Sequence, residues 1–280
     1  METTKQFASP GNETSLRKLV FLLAQRFFPL RIYEFSSSFN IANSTDIFFG
    51  RCLLMVTDNP KRIDYQVQDF INGKYADETV TVICHDKEAI ANAVGANSRF
   101  FITILTQGRL LYSNGQMLEF EPTLPYDPAL AVERAQELFK YRMPLAHGFF
   151  SAAMECYRLG HYSIGTFLLH QSCEQTLICM IRVHLGYRSE FHNIHRLLGL
   201  CSSFSPRPYH TLVDIDNNAR LFSILSSSYS GARYNSGFSV EEADADAISQ
   251  RVSKLLSLAA EMYFDHIKHL EHITGSIPTN

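Results

Sequence analysis

The stretch Phe167-Leu-Leu-His-Gln-Ser-Cys-Glu-Gln-Thr-Leu177 places a carboxylate and an amide inside a strongly apolar run. Gln171 and Glu174 are three residues apart, so they share one face of the helix that the apolar pattern predicts. A carboxylate on such a helix is costly to bury unless a cationic group meets it. Two later segments offer cations, Arg188-Ser-Glu-Phe-His-Asn-Ile-His195 and Ala232-Arg-Tyr-Asn235. Together these segments suggest a site.

The composition is that of a globular protein with no strong overall charge. The chain has 280 residues, of which 46% are hydrophobic and 19% charged, and a formal net charge of −3. That charge gives no global attraction to nucleic acid or to an anionic membrane, so such a partner would need a local basic patch. The N-terminus is polar and no apolar run is long enough to span a bilayer, which favours a cytoplasmic protein without a membrane partner. The six cysteines include no Cys-x-x-Cys pair, which fits a reducing compartment.

A Pro-rich connector at Glu121-Pro-Thr-Leu-Pro-Tyr-Asp-Pro128 predicts a boundary between a domain at residues 1–122 and another at residues 127–280. In the first domain helical and strand patterns alternate, which indicates a mixed α/β fold. The predicted helices cover residues 15–28, 60–72 and 86–94, and the predicted strands cover residues 31–35, 47–56 and 79–84. Two further β runs, residues 100–106 and 109–112, flank Gln107-Gly108 and predict a hairpin.

The second domain shows helical periodicity throughout. Its predicted helices cover residues 127–159, 162–185, 193–203, 211–229 and 239–272. Asp127 and Pro128 are suited to start the first of them, and Gly186 to end the second. Five helices with short connections indicate an antiparallel bundle, so the chain as a whole is predicted to be α+β.

The polar residues of this bundle admit two interpretations each. Gln171 and Glu174 either point to solvent or line a cleft with Arg233 or a histidine as counterpart. The segment from Arg182 to His210 holds four Arg and four His against one acid, so it is either a solvated loop or a phosphate-binding patch. Arg233-Tyr234 offers a planar fork for phosphate and a stacking face for a base, unless the arginine serves only to pair with Glu174.

His192 and His195 are three residues apart, a spacing that suits a metal site on a helix. No third ligand follows at a recognisable spacing, so we predict neither a metal site nor a cofactor.

Residues 145–272 resemble a HEPN domain, a helical bundle associated with nucleotide binding. The resemblance is carried, in order, by Phe-Leu-Leu-His-Gln-Ser-Cys-Glu at residues 167–174, His-Asn-Ile-His-Arg-Leu-Leu at residues 192–198 and Ala-Arg-Tyr at residues 232–234. It implies a homodimer whose pairing forms a composite cleft. In this family the bundle often follows a minimal nucleotidyltransferase domain, which the first half is similar to.

Two departures from the family patterns bear on activity. A nucleotidyltransferase needs a Gly-Ser turn and an Asp-x-Asp pair to hold Mg²⁺, whereas here Asp46 and Asp58 stand alone at opposite ends of the predicted strand. HEPN ribonucleases carry an Arg and a His with four to six residues between them, and no His follows Arg233 at that spacing. Arg142/His147 and Arg188/His195 have that spacing elsewhere, but chance alone supplies as many such pairs.

The sequence therefore predicts a non-catalytic nucleotide- or RNA-binding protein that acts through a HEPN bundle as a homodimer. The predicted contacts are phosphate at Arg188, His192, His195 and Arg233, base at Tyr234, and orientation of these groups by Gln171 and Glu174. Two alternatives stay open. One is a HEPN ribonuclease of the toxin–antitoxin type that uses Arg188 and His195, and the other is a structural module that binds a protein partner regardless of nucleotide.

Overall fold

The computed structural model describes residues 10–36, 39, 50–121, 123, 125–213 and 219–275. The chain divides into two compact units, one of residues 1–38 and 49–125 and one of residues 39–48 and 126–280. The first contains a sheet with helices and the second is helical. The predicted α+β class is confirmed.

A four-stranded mixed sheet forms the centre of the first unit. Its strands are β1 (Arg31–Glu34), β2 (Arg51–Thr57), β3 (Val80–Asp86) and β4 (Arg109–Ser113), in the order β3-β2-β1-β4. β2 and β3 are parallel, while β1 is antiparallel to both β2 and β4. Every residue of β2 is buried, as expected for an inner strand covered on both faces.

In the part of the chain that the structure describes, four helices accompany this sheet: α1 (Pro10–Phe27), α2 (Asp64–Lys74), α3 (Lys87–Gly95) and α4 (Arg99–Gln107). Leu16, Leu19 and Leu23 of α1 are buried in the core formed with the sheet. The helix predicted over residues 60–72 begins instead at Asp64, whose buried carboxylate accepts a hydrogen bond from the Cys84 amide at 2.9 Å. Gly73 lies inside this helix and does not end it.

The predicted hairpin of residues 100–106 and 109–112 is wrong. Its first arm is α4, and its second arm is β4, which pairs with β1. Phe100, Phe101 and Ile104 are buried, a spacing that gives a helix an apolar face. The aromatic and β-branched composition favoured a strand, but packing of this face against the unit's core overrides that propensity.

Six helices form the described part of the second unit: α5 (Ala131–Arg158), α6 (Tyr162–Leu185), α7 (Ile194–Cys201), α8 (Arg207–Val213), α9 (Ala219–Tyr234) and α10 (Glu242–Gly275). The single helix predicted over residues 211–229 is wrong, because α8 and α9 stand in its place, and residues 214–218 between them lie outside the described residues. Within the described ranges no helix has the length and apolarity needed to cross a membrane.

The α6 helix is the centre of the bundle. It packs against α5, α7, α9 and α10. Sixteen of its 24 residues are buried, so little of its surface is left for anything but packing. It ends, as predicted, at Gly186, which adopts a left-handed conformation with φ +67°.

Candidate functional site

The exposed part of α6 is a narrow stripe on one side of the helix. Phe167, Gln171, Gln175 and Arg182 are each partly exposed, while most of their neighbours are buried. At 3.6 residues per turn these four positions fall within about 80° of one another. We call these four residues the α6 stripe, and the candidate site is built along it.

Glu174 lies beside the stripe and is buried, with its side chain 5% exposed. Its Oε1 is 3.0 Å from Nδ1 of His192, whose side chain is 70% exposed. The idea that Glu174 points to solvent is therefore wrong. Arg233 is not its partner either, because the loop before α7 delivers the histidine. The contact at Nδ1 fixes the orientation of an imidazole that is largely exposed.

That loop is itself anchored. Phe191 is buried, its amide donates to Oγ of Ser189 at 3.1 Å, and the Arg196 guanidinium lies 3.5 Å from the centre of its ring. Asn193 then caps α7 by accepting hydrogen bonds from the backbone amides of His195 and Arg196. His192 is thus an exposed side chain on a fixed backbone.

Aromatic rings and a cation gather at the N-terminal half of α6. Arg233 donates from Nε to the Tyr229 carbonyl at 2.7 Å, and its Cζ lies 4.0 Å from the centre of the Tyr229 ring and 5.6 Å from that of Phe167. The His170 ring lies 5.2 Å from the Tyr229 ring. We call Phe167, His170, Tyr229 and Arg233 the aromatic–cation cluster. It presents an exposed guanidinium on an aromatic face, which suits phosphate and base together.

His170 is the buried member of this cluster, at 2% exposure. Burial lowers its pKa to about 4, and the positive charges of Arg233 and His195 act in the same direction. Nε2 of Gln171 lies 3.2 Å from Nδ1 of His170. An amide nitrogen can only donate, so this contact requires an unprotonated Nδ1 and fits a neutral ring.

The remaining predicted residues flank the stripe. Tyr234 is 78% exposed, and the Arg233 guanidinium lies 4.9 Å from the centre of its ring. The His195 ring packs edge-on against Phe222 of α9 at 4.5 Å. Arg188 is exposed, and its charge acts on Arg182 near the other end of α6. Six of the seven predicted residues therefore lie along the N-terminal half and the middle of α6. Arg188 lies towards the C-terminal end of the helix.

Six residues of this surface were not predicted as site residues. Phe167, His170 and Tyr229 belong to the aromatic–cation cluster, while Gln175, Arg182 and Arg142 lie further along, with Nη1 of Arg142 donating to Oε1 of Gln175 at 2.8 Å. The four-residue spacings from Gln171 to Gln175 and from Tyr229 to Arg233 could have indicated two of them. No sequence signal links Arg142 to α6, because the contact arises from the packing of α5.

In the first unit, Glu34 and Glu78 beside the sheet are paired with arginines. The Glu34 carboxylate lies 2.5 Å from Arg51 and 2.6 Å from Arg109, and Arg51 also pairs with Glu78. Asp58 pairs with Lys87 at 2.6 Å, and Asp46 lies outside the described residues. Among described residues there is no group of three or more metal-ligating side chains.

The second unit is a helical bundle whose central helix exposes the α6 stripe. Residues 132–263 match the family model described as HEPN domain, so this part of the chain is a HEPN domain and the predicted resemblance is confirmed. The matched residues include all of the α6 stripe and of the aromatic–cation cluster.

A solved structure described as a nucleotidyltransferase-like protein from Exiguobacterium sibiricum 255-15 is 12% identical to this chain, with a TM-score of 0.28; the match covers 91% of this chain and 78% of that one. No curated protein matches the chain.

Proposed function

We propose that this protein binds nucleotide or RNA without turning it over, as a cytoplasmic homodimer, through the α6 stripe of its HEPN domain. The observation that supports this most is the aromatic–cation cluster, in which Arg233 lies exposed against Tyr229 beside the exposed ring of Tyr234. A guanidinium binds phosphate with directed donors, and a neighbouring aromatic face stacks on any base. The homodimer and the cytoplasmic location belong to the proposal.

In this site Arg233 and His195 supply cationic or donor groups at one end, Tyr234 supplies a stacking face, and His192 is held by Glu174. Gln171 contacts Nδ1 of His170, whose ring neighbours the Tyr229 ring on which Arg233 packs. Arg188 contributes towards the other end of the stripe. In the first unit the Glu34 carboxylate is paired with two arginines. Because nucleotide transfer needs carboxylates that hold Mg²⁺, we expect this unit not to transfer nucleotides.

The test is calorimetric titration of the full chain with adenosine triphosphate and with a short oligoadenylate. We expect Arg233→Ala to weaken binding of both ligands by roughly 10-fold to 100-fold, the range that loss of one charged hydrogen bond to phosphate gives. Arg220→Ala on the same helix is the matched control, because that guanidinium already pairs with Asp244 at 2.7 Å. Equal affinity of the Arg233 variant and the control would refute the proposal.

The ribonuclease alternative has one observation in its favour, the Glu174–His192 pair. A buried carboxylate that orients an exposed imidazole is an arrangement found in acid–base catalysis. The structure favours His192 over His195 for this role, because it is His192 that the carboxylate holds and His195 packs against Phe222.

Incubating the protein with end-labelled single-stranded RNA distinguishes binding from cleavage. We expect the RNA to stay intact, since no Arg at the family's position is followed by the required His. Cleavage that is lost in both His192→Asn and Glu174→Gln but retained in His195→Asn would instead establish an enzyme that uses the buried pair. Cleavage lost only in His195→Asn would favour the Arg188/His195 mechanism.

A further inference from the structure

Three arginines from three segments gather near the C-terminal end of the α6 stripe. The pKa of the Arg182 guanidinium is lowered, chiefly by its burial. The positive charges of Arg142 on α5 and of Arg188 in the loop after α6 lower it further. We call Arg142, Arg182 and Arg188 the arginine group. Like charges repel, so gathering them costs free energy unless an anion joins them.

No such anion comes from the described part of the chain. Within it, none of the three guanidiniums forms an ion pair with a carboxylate, whereas Arg207, Arg220 and Arg158 each have one. The Nε atoms of Arg142 and Arg182 are buried and have no hydrogen-bond partner among the described residues. Such unpaired donors are uncommon in folded proteins, and an unfilled ligand site is one explanation.

The arginine group is continuous with the site already described. Arg142 holds Gln175, which follows Gln171 by one helical turn on the same stripe. From Phe167 to Arg182 the stripe covers fifteen residue steps, or about 22 Å at 1.5 Å per residue. A single phosphate cannot reach both ends. A stacked single strand with ~3.4 Å per nucleotide would need about six nucleotides to do so.

We infer that the α6 stripe is a track for single-stranded RNA, with a base stacked in the aromatic–cation cluster and backbone phosphates bound by the arginine group. This inference rests on the proposed function and specifies its ligand as a polynucleotide strand of about six nucleotides or more. Aromatic faces at one end and unpaired guanidiniums at the other are the two components of surfaces that bind single strands. An acidic protein segment would use the arginines and leave the aromatic faces without a role.

The test measures the affinity of the full chain, by fluorescence anisotropy, for labelled oligoadenylates of about three and about twelve nucleotides, within the range of known single-strand site sizes. Arg182→Gln removes the central charge of the arginine group and keeps a good helix former. Arg207→Gln is the control, since it removes the same charge from a guanidinium already bound to Glu261. Unfolding midpoints verify that each variant is folded.

We expect the longer strand to bind at least about tenfold more tightly than the shorter one, and Arg182→Gln to remove most of that difference while leaving the shorter strand unaffected. The slope of log K against log salt for the longer strand should become shallower by about 0.7, the change expected for one lost phosphate contact. In Arg207→Gln both quantities should stay as in the wild type.

Three results would overturn the track. The first is equal binding of both lengths, and the second is equal effects of Arg182→Gln and Arg207→Gln; in either case the proposed function still stands on the Arg233 result. The third is binding of oligoglutamate as tightly as of the longer RNA, which would assign the arginine group to an acidic protein partner. Failure of the wild type to bind any nucleotide or RNA would instead refute the proposed function itself.

Discussion

Replacing Gly165 with alanine should lower the free energy of unfolding of the HEPN domain by about 2 kcal/mol. A Cβ on Gly165 would lie well inside van der Waals contact with the ring of Tyr157 and 3.0 Å from the backbone oxygen of Ala153. The Tyr157 hydroxyl is 3.0 Å from that of Thr166, so moving the ring also endangers this hydrogen bond. Overpacking costs about 1–3 kcal/mol and a lost bond about 1, while alanine returns about 0.5–1 through helix propensity.

Gly148→Ala on α5 is the matched control. A Cβ there meets nothing within 4 Å, so alanine should stabilise the domain by about 0.5–1 kcal/mol through helix propensity alone. Urea unfolding of both variants gives the comparison. If Gly165→Ala were as stable as Gly148→Ala, α5 and α6 would not be packed as closely at Gly165 as the structure shows. The position of the α6 stripe would then not be fixed by that contact.

The sequence predicts α6 well and its partners poorly, for physical reasons. Apolar residues on almost every side of residues 162–185 indicate a central helix, and Gly186 marks its end because glycine readily adopts positive φ. The cost of burying Glu174 correctly indicated that its carboxylate needs a partner. Which one it is depends on how the loop before α7 folds back, and that is a long-range property no local pattern carries.

The same distinction explains the errors. Residues 99–107 have a composition typical of strands, and only the surrounding core decides that they form α4. Arg142 and Gln175 are 33 positions apart, so their contact reflects how α5 packs on α6. Sequence periodicity could show that Gln171 and Gln175 share a face, but it could not show that an arginine from another helix lies there.

Acidification should destabilise the HEPN domain by about 3 kcal/mol between pH ~7 and ~4 through His170 alone. In the fold the pKa of His170 is lowered to about 4, whereas an unfolded histidine has a pKa of about 6.5. Between these values the unfolded chain binds the additional proton, so stability is greatest above the unfolded pKa and decreases as the pH falls towards the folded one. Protonation would also break the contact in which the Gln171 amide donates to Nδ1.

The measurement is the free energy of unfolding in urea at pH ~7, ~5.5 and ~4 for the wild type, His170→Gln and His161→Gln. Glutamine at position 170 does not titrate, so its curve should decrease by about 3 kcal/mol less over this range, whatever its stability at neutral pH. His161 is exposed and lies just before α6, so its replacement should leave the wild-type dependence unchanged. Parallel curves for the wild type and His170→Gln would mean that the fold does not lower the pKa of His170 below its unfolded value. The ring would then become charged in the fold as readily as in the unfolded chain, which would contradict its burial beside Tyr229 and the nearby positive charge of Arg233.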